Sequence, residues 1–448
     1  MDKRIKGVAD VAAWRLCLGC GACAGVCPHG AITLVDVLKE GIRPMVDSER
    51  CRGCGTCLGV CPGFETAHDN TRWPAAVIGH LGRSWGPVLD IWEGHAADAE
   101  LRYAGASGGA ASALAAYCLA RMGMAGVVHT APATERPWKN ATVVSRTPEE
   151  LLLRAASRYA PASPCDALRW AAARGGRFVF IGKPCDVAAV RRAAAISSEI
   201  EDAFGCLISL FCAGTPGTLG TIDLLEHVGV LTSHIAELRF RGRGWPGAMA
   251  VRLKDAEAFE SKMSYRDSWK FLQRYRPYRC HLCPDGTGEF ADIACGDPWY
   301  RKPQPAEPGA SLVVARTERG RQLVEAAIAD GYLVMNRANP DILTASQGSL
   351  LAKRQAVWGR ALAFRLHRLP YPQLRGFSLL ANWATLPTRQ KALSILGTLR
   401  RIRARRYYQP SHYSNGPLEP HDNELCKGAD GIRGAGGAPG LLQMRSDS

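Results

Sequence analysis

The sequence predicts an α/β protein, or α+β when its ends are counted, with a small cysteine-built module at the N-terminus. Three observations predict it. Eight cysteines fall in two matching runs within the first 63 residues. From about Trp85 onward, short apolar runs alternate with helical patterns, as in a sheet covered by helices. The last stretch, 414–448, holds many Gly, Pro, Asp, Asn and Ser and few large apolar groups.

The first run is Cys17-x2-Cys20-x2-Cys23-x3-Cys27-Pro28, and the second is Cys51-x2-Cys54-x2-Cys57-x3-Cys61-Pro62. This is the two-cluster bacterial ferredoxin spacing, in which the fourth cysteine of each run ligates the other cluster. One [4Fe-4S] centre is therefore expected at Cys17, Cys20, Cys23 and Cys61, and the other at Cys51, Cys54, Cys57 and Cys27. Three thiolates two residues apart wrap one face of a cubane, and the distant fourth closes the cage. Pro28 and Pro62 end each turn and remove an amide donor there. Gly21, Gly53 and Gly55 let the backbone approach the sulfurs. The alternative metal, zinc, takes four tetrahedral ligands, usually as separated pairs, and fits two complete four-cysteine runs poorly.

The 448 residues suffice for two or three domains, and 47% hydrophobic residues allow sizeable cores. The formal charge of +15 treats the cysteines as neutral. An oxidised cluster with four thiolates carries about −2, so part of the basic excess balances the clusters. No nucleic-acid recognition motif accompanies the charge, and no nucleic-acid partner is expected. The opening MDKRIKGVADVAAWRLC lacks a long apolar core, so no signal peptide is expected, and seventeen cysteines then point to metal or redox chemistry, a reduced compartment and an expected cytoplasmic location. The longest apolar tract, Gly105–Val128, is mostly Ala and Gly and carries Arg121, which makes it a buried helix rather than a membrane span.

In order, residues 1–63 form the ferredoxin-type module and 64–84 a linker. A first α/β region spans 85–165. It contains an Ala-rich helix from Ala110 to Met122 and a buried strand at Gly126–Pro132. A second region spans 166–375. Apolar runs at Arg177–Gly182 and Cys206–Ala213 read as strands, with a helical segment at Asp186–Ala195 between them. Met249–Lys254 and Ser311–Arg316 are further strands, and Glu318–Asp330 a helix. Residues 376–413 form a basic helical extension. Within it, 391–406 sets Leu393, Leu396, Leu399 and Ile402 at helical spacing among many cations. That pattern suits a helix packed on the core, or a weak contact with an anionic membrane surface. The tail 414–448, with Cys426 as a free thiol, is expected to be disordered.

Among the nine cysteines after the two runs, the notable ones are Cys185, Cys212, Cys280, Cys283 and Cys295. Cys280-His281-Leu282-Cys283 is a short chelating pair, which by itself suits zinc, thiol redox chemistry or a cluster. Cys185 stands where a strand turns into a helix, and Cys212 ends an apolar run. Spacing leaves open whether these four join in a third cluster or include buried cysteines that act as small hydrophobes.

Five segments resemble, in order, the family of beta subunits of coenzyme F420-reducing hydrogenases and dehydrogenases. They are Gly105-Ala106-Ser107-Gly108-Gly109, Phe180-Ile181-Gly182-Lys183-Pro184-Cys185, Leu210-Phe211-Cys212-Ala213-Gly214, Cys280-His281-Leu282-Cys283-Pro284-Asp285, and Ala291 through Trp299. The resemblance covers roughly residues 15–330. The family also includes chlorophyll-reducing enzymes, so it implies FAD and iron–sulfur clusters more firmly than it implies a substrate.

Carried onto this chain, the resemblance implies a third [4Fe-4S] centre at Cys185, Cys212, Cys280 and Cys283, with Cys295 as a spare ligand. It also implies an FAD-binding α/β domain. Ser107, Gly108 and Gly109 precede a helix whose amides can receive a phosphate, and glycine permits close approach. Lys183 is expected at the flavin phosphate or ring, and Asp297 and Trp299 at the pocket wall. His129 and His281 read as a core and a loop residue rather than catalysts. The expected function is that of an iron–sulfur flavoprotein oxidoreductase. It exchanges electrons with an F420-like hydride carrier or organic substrate and with a redox partner protein. The alternative is a non-catalytic electron-transfer subunit of a larger complex.

Overall fold

The computed structural model describes residues 4–304, 306–411, 413 and 418–425. Its centre is a nine-stranded mixed sheet, ordered 333–337, 90–96, 311–315, 293–296, 204–210, 178–182, 126–132, 140–145 and 422–423. The four strands Ile293–Gly296, Phe204–Leu210, Phe178–Gly182 and Gly126–Pro132 run parallel to their neighbours in this group. Antiparallel strands close the group on either side.

These strands are apolar on both faces because helices cover both, as is usual for parallel sheets. Alternate residues divide between two cores. Val127, Val179, Cys206 and Ile208 pack on helices Ala110–Arg121 and Glu318–Ala329 through Ala113, Leu114, Leu323 and Val324. Val128, Phe178, Phe180 and Leu207 point the other way, to Leu168, Val187, Val190 and Ile200. The expected strands and helices occur within a residue or two of their predicted limits. The run Cys206–Ala213, however, is a strand only to Leu210, and the helix after Lys183 begins at Pro184. Proline suits that first helical position because its missing N–H has no partner there.

A smaller antiparallel sheet, Ile235–Arg239, Ala248–Leu253 and Glu260–Ser264, packs with helix Tyr265–Leu272 around Leu238, Phe240 and Met249. The ferredoxin-type module has two one-turn helices, Ala22–Gly25 and Thr56–Gly59, and a hairpin of Ile32–Val37 with Gly41–Val46.

Two regions differ from expectation. The linker 64–84 is structured: Glu65–Ala67 pairs with Gln373–Arg375, and helix Gly79–Trp85 buries Leu81 and Trp85. The tail is not disordered over 418–425. Leu418–Pro420 pairs with Ile32–Val37 of the module, and Asp422–Asn423 pairs with Asn140–Ser145 of the large sheet. Its polar side chains are used rather than solvated. Glu419 and Asp422 receive Arg136, at 2.8 and 2.6 Å, and Lys139 lies 2.9 Å from Glu419. Composition alone does not see such partners. Cys426 lies outside the described residues.

The helix Thr388–Ala404 packs Ile395, Leu399 and Ile402 against the cluster of Tyr278 and Phe364, as in the core-packing reading. Leu393 and Leu396 remain more than half exposed, so the predicted apolar stripe is split between two faces. Among the described residues, no helix is long and apolar enough to cross a membrane.

Candidate flavin cleft and cysteine sites

The two cysteine runs cross over. One cavity is lined by Cys17, Cys20, Cys23 and Cys61, and a second by Cys27, Cys51, Cys54 and Cys57. The turn that makes this possible recurs in both runs: Gly21 and Gly55 cap the one-turn helices in the left-handed region, at φ +86° and +76°. Backbone amides reach the sulfurs, with Gly19 N–H 3.3 Å from Cys17 Sγ and Ala31 N–H 3.3 Å from Cys27 Sγ.

The two sites differ in exposure. Burial pushes the thiols of Cys17 and Cys23 up, and that of Cys61 up to about 12. Cys51 and Cys54 are exposed, and the Thr56 hydroxyl lowers the Cys54 thiol. The first run is covered by the segment Ser163–Asp166. Ser163 Oγ donates to the Gly19 carbonyl at 2.7 Å, and the Cys165 N–H to the Cys20 carbonyl at 3.0 Å.

The later cysteines Cys185, Cys212, Cys280 and Cys283 form a third group. Burial pushes the thiols of Cys185, Cys212 and Cys283 up, Cys212 to about 11, and repulsion among the four adds to this. Basic side chains surround them: Lys353 donates to the Cys212 carbonyl at 3.1 Å and Arg276 to the Ala213 carbonyl at 2.8 Å. Four protonatable thiols inside a cationic shell suit an anionic cluster. Cys295 stands apart: burial alone raises its thiol, to about 12, and no other cysteine acts on it. Its side chain faces the helix Ala110–Arg121 core. Among the described residues, no three His, Cys, Asp or Glu side chains converge on a single-ion site.

Beside this group a cleft opens at the carboxyl ends of the parallel strands, where open α/β sheets place their ligands. Ser107, Gly109 and Ala110 line it at the start of the Ala-rich helix, and Gly182 and Lys183 line it at the end of a strand. A helix start offers unpaired amides to an anion. Gly108 lies outside this lining. Its Cα packs on the neighbouring loop, and a Cβ there would stand 2.9 Å from Ala310 backbone atoms.

Lys183 Nζ donates to Asp186 Oδ2 at 2.7 Å and to the Ala162 carbonyl at 3.3 Å. Burial opposes its charge, but the Asp186 carboxylate more than offsets this and keeps it protonated. One of its three N–H groups is left for the cleft. Asp297 is also outside the lining. Its carboxylate is taken by Arg241, at 3.0 and 2.6 Å, and by Trp245 Nε1 at 2.8 Å. A guanidinium buried to 2% exposure requires such a partner. Trp299 stacks on Tyr265 and Trp245 beside that pair.

Three matches with known families follow this division of the chain. Residues 16–63 match the 4Fe-4S dicluster domain. Residues 91–169 and 175–341 match the N- and C-terminal parts of the coenzyme F420 hydrogenase/dehydrogenase beta subunit. The chain belongs to that family of beta subunits. It is 24% identical over 340 residues to a subunit of the F420H2 dehydrogenase of Methanosarcina mazei, covering 75% of this chain and 88% of the relative. It is 30% identical over 155 residues to the beta subunit of the F420-dependent formate dehydrogenase of Methanocaldococcus jannaschii, spanning only 36% of that protein. A chain of the F420-reducing [NiFe] hydrogenase complex from Methanosarcina barkeri shares the fold. The TM-score is 0.50 at 20% identity, covering 65% of this chain and 97% of that one.

Within this family fold, the sequence reading missed the cationic wall of the cleft. Arg154 and Arg158 line it together with Ser107. Arg158 donates to Asn140 Oδ1 and to the carbonyls of Leu238, Pro137 and Lys139, at 2.7–3.0 Å, and among the described residues no carboxylate bonds it. Burial lowers it to about 10. No local pattern marks Arg158, because its partners come from distant segments. His129 also lines the cleft, bonded through Nε2 to Ser145 Oγ at 2.7 Å. His281 is half-buried, and desolvation lowers it to about 3.

Proposed function

We propose that the cleft holds FAD and that the protein is an iron–sulfur flavoprotein exchanging electrons between a hydride carrier, of the F420 type or another organic molecule, and a partner protein. The single observation that carries this reading is the position of the cleft. It lies at the carboxyl ends of the parallel strands, with a helix start on one side and Lys183, two residues before Cys185, on the other. FAD, when bound, exchanges a hydride's two electrons on one side and single electrons on the other.

The chain's own residues divide the work. The amides around Ser107 and Gly109 receive a phosphate. Arg154 and Arg158 supply positive charge to the same ligand, and Lys183 holds its proton beside it. Cys17, Cys20, Cys23 and Cys61, then Cys27, Cys51, Cys54 and Cys57, ligate the two ferredoxin-type clusters. Cys185, Cys212, Cys280 and Cys283 ligate the third. The relatives are named as subunits, and that favours one alternative: an electron-transfer subunit whose turnover needs a second chain.

The test is anaerobic absorbance of the reconstituted protein mixed with reduced F420, NADH, NADPH or reduced ferredoxin. The expected result is bleaching of a bound flavin by one of the hydride carriers. A preparation that folds but binds no flavin overturns the reading. Bleaching by reduced ferredoxin alone favours the subunit alternative.

A further inference from the structure

Arg279 is 1% exposed, and its surroundings do not satisfy it. Nη2 donates to the Pro62 carbonyl at 3.0 Å. Nε and Nη1 have no hydrogen-bond partner, and among the described residues no carboxylate pairs with the guanidinium. The other large buried arginines are answered: Arg241 by Asp297, Arg354 by Glu289, and Arg316 by the carbonyls of Trp85, Pro87 and Thr287. A buried guanidinium left with four of its five N–H groups unused is strongly unfavourable unless an anion accompanies it. The Arg279 charge reaches the Cys283 thiol and favours its thiolate. Cys280 is next in the chain, and Cys283 is four residues on. Pro62, which it holds, follows Cys61.

We propose that Arg279 is a positioning residue shared by two buried clusters. It sits between the third group, Cys185, Cys212, Cys280 and Cys283, and the first ferredoxin-type group, Cys17, Cys20, Cys23 and Cys61. It gives its unused N–H groups to their sulfur and its charge to both. This rests on the reading above that the third group binds a cluster. Two consequences follow. The third cluster neighbours the buried ferredoxin-type cluster, not the exposed one. Both neighbours are easier to reduce than they would be without the charge, because reduction adds negative charge that the guanidinium offsets.

The experiment is an anaerobic redox titration of the reconstituted full chain, followed by electron paramagnetic resonance with iron analysis, on wild type, Arg279→Gln and Arg279→Lys. In Arg279→Gln, the two buried clusters are expected to show at least a tenfold fall in reduced-to-oxidised ratio at fixed ambient potential, about 59 mV for a one-electron couple. The exposed cluster at Cys27, Cys51, Cys54 and Cys57 keeps its potential. Arg279→Lys, which keeps the charge, shifts less than Arg279→Gln. Unmoved potentials at full iron content overturn the proposal, and so does an equal shift of all three clusters. If Arg279→Gln loses iron, Arg279→Lys decides: full iron supports the need for charge, and equal loss overturns it. Wild-type protein with about eight irons would remove the third cluster itself. About twelve irons with unmoved potentials would overturn this proposal alone.

Discussion

The two halves of the cysteine repeat share a spacing and a turn but not their surroundings. Around Cys17–Cys27, glycines touch the α/β domain. A Cβ on Gly25 would lie 2.1 Å from the Cys165 carbonyl oxygen, and one on Gly21 would lie 2.7 Å from the Ser163 carbonyl oxygen. At the equivalent Gly59 and Gly55, nothing lies within 4 Å. Residues 51–55 are all exposed. Spacing makes both halves into cluster loops; packing decides that one faces the interior and the other faces solvent. The difference sets one half against the chain's own α/β domain and leaves the other open to solvent.

The largest expected effect of this difference is on cluster loss. With a chelator under air, about four irons should leave in a fast phase from the Cys51 side. The other irons leave slowly. A single phase for all irons would break the contrast.

A smaller effect separates matched substitutions. Gly25→Ala forces a Cβ into the Cys165 backbone and should cost ~1–3 kcal/mol or lower the yield of folded protein. Gly59→Ala, with open space and helical backbone, should be neutral or stabilising by ~0.4–1 kcal/mol. Thermal melts of the two variants check this, and equal melting temperatures would show that the first half is not docked.

The smallest effect lies in the cleft. Burial holds His129 at about 4, below the ordinary 6.5. Between those values the unfolded chain binds a proton that the folded chain does not. Stability should therefore fall as pH drops from about 6.5 to 4, by up to roughly 3 kcal/mol, and stay level above 6.5. His129→Gln should flatten that slope in denaturant titrations.

The ferredoxin-type module was legible in the sequence because its ligands are local: eight cysteines at fixed intervals define both turns. The strands of the large sheet were legible because burial on both faces leaves continuous apolar runs. The site's details were less so. Asp297 sits in a recognisable segment, yet its carboxylate answers Arg241, fifty-six residues away. Arg154 and Arg158 reach the cleft from a segment with no motif. The tail at 418–425 reads as disordered by composition, but Glu419 and Asp422 meet Arg136 and Lys139. Long-range charge pairing leaves no periodic trace. Arg279 did leave one signal, its place immediately before Cys280, but only burial shows that it lacks an anion.

The most direct measurement is iron and flavin content of the anaerobically reconstituted chain, with Cys280→Ser beside it. The account predicts about twelve irons and a bound flavin in wild type, and about eight irons with the flavin retained in Cys280→Ser. About eight irons in both, with no flavin in either, would contradict it.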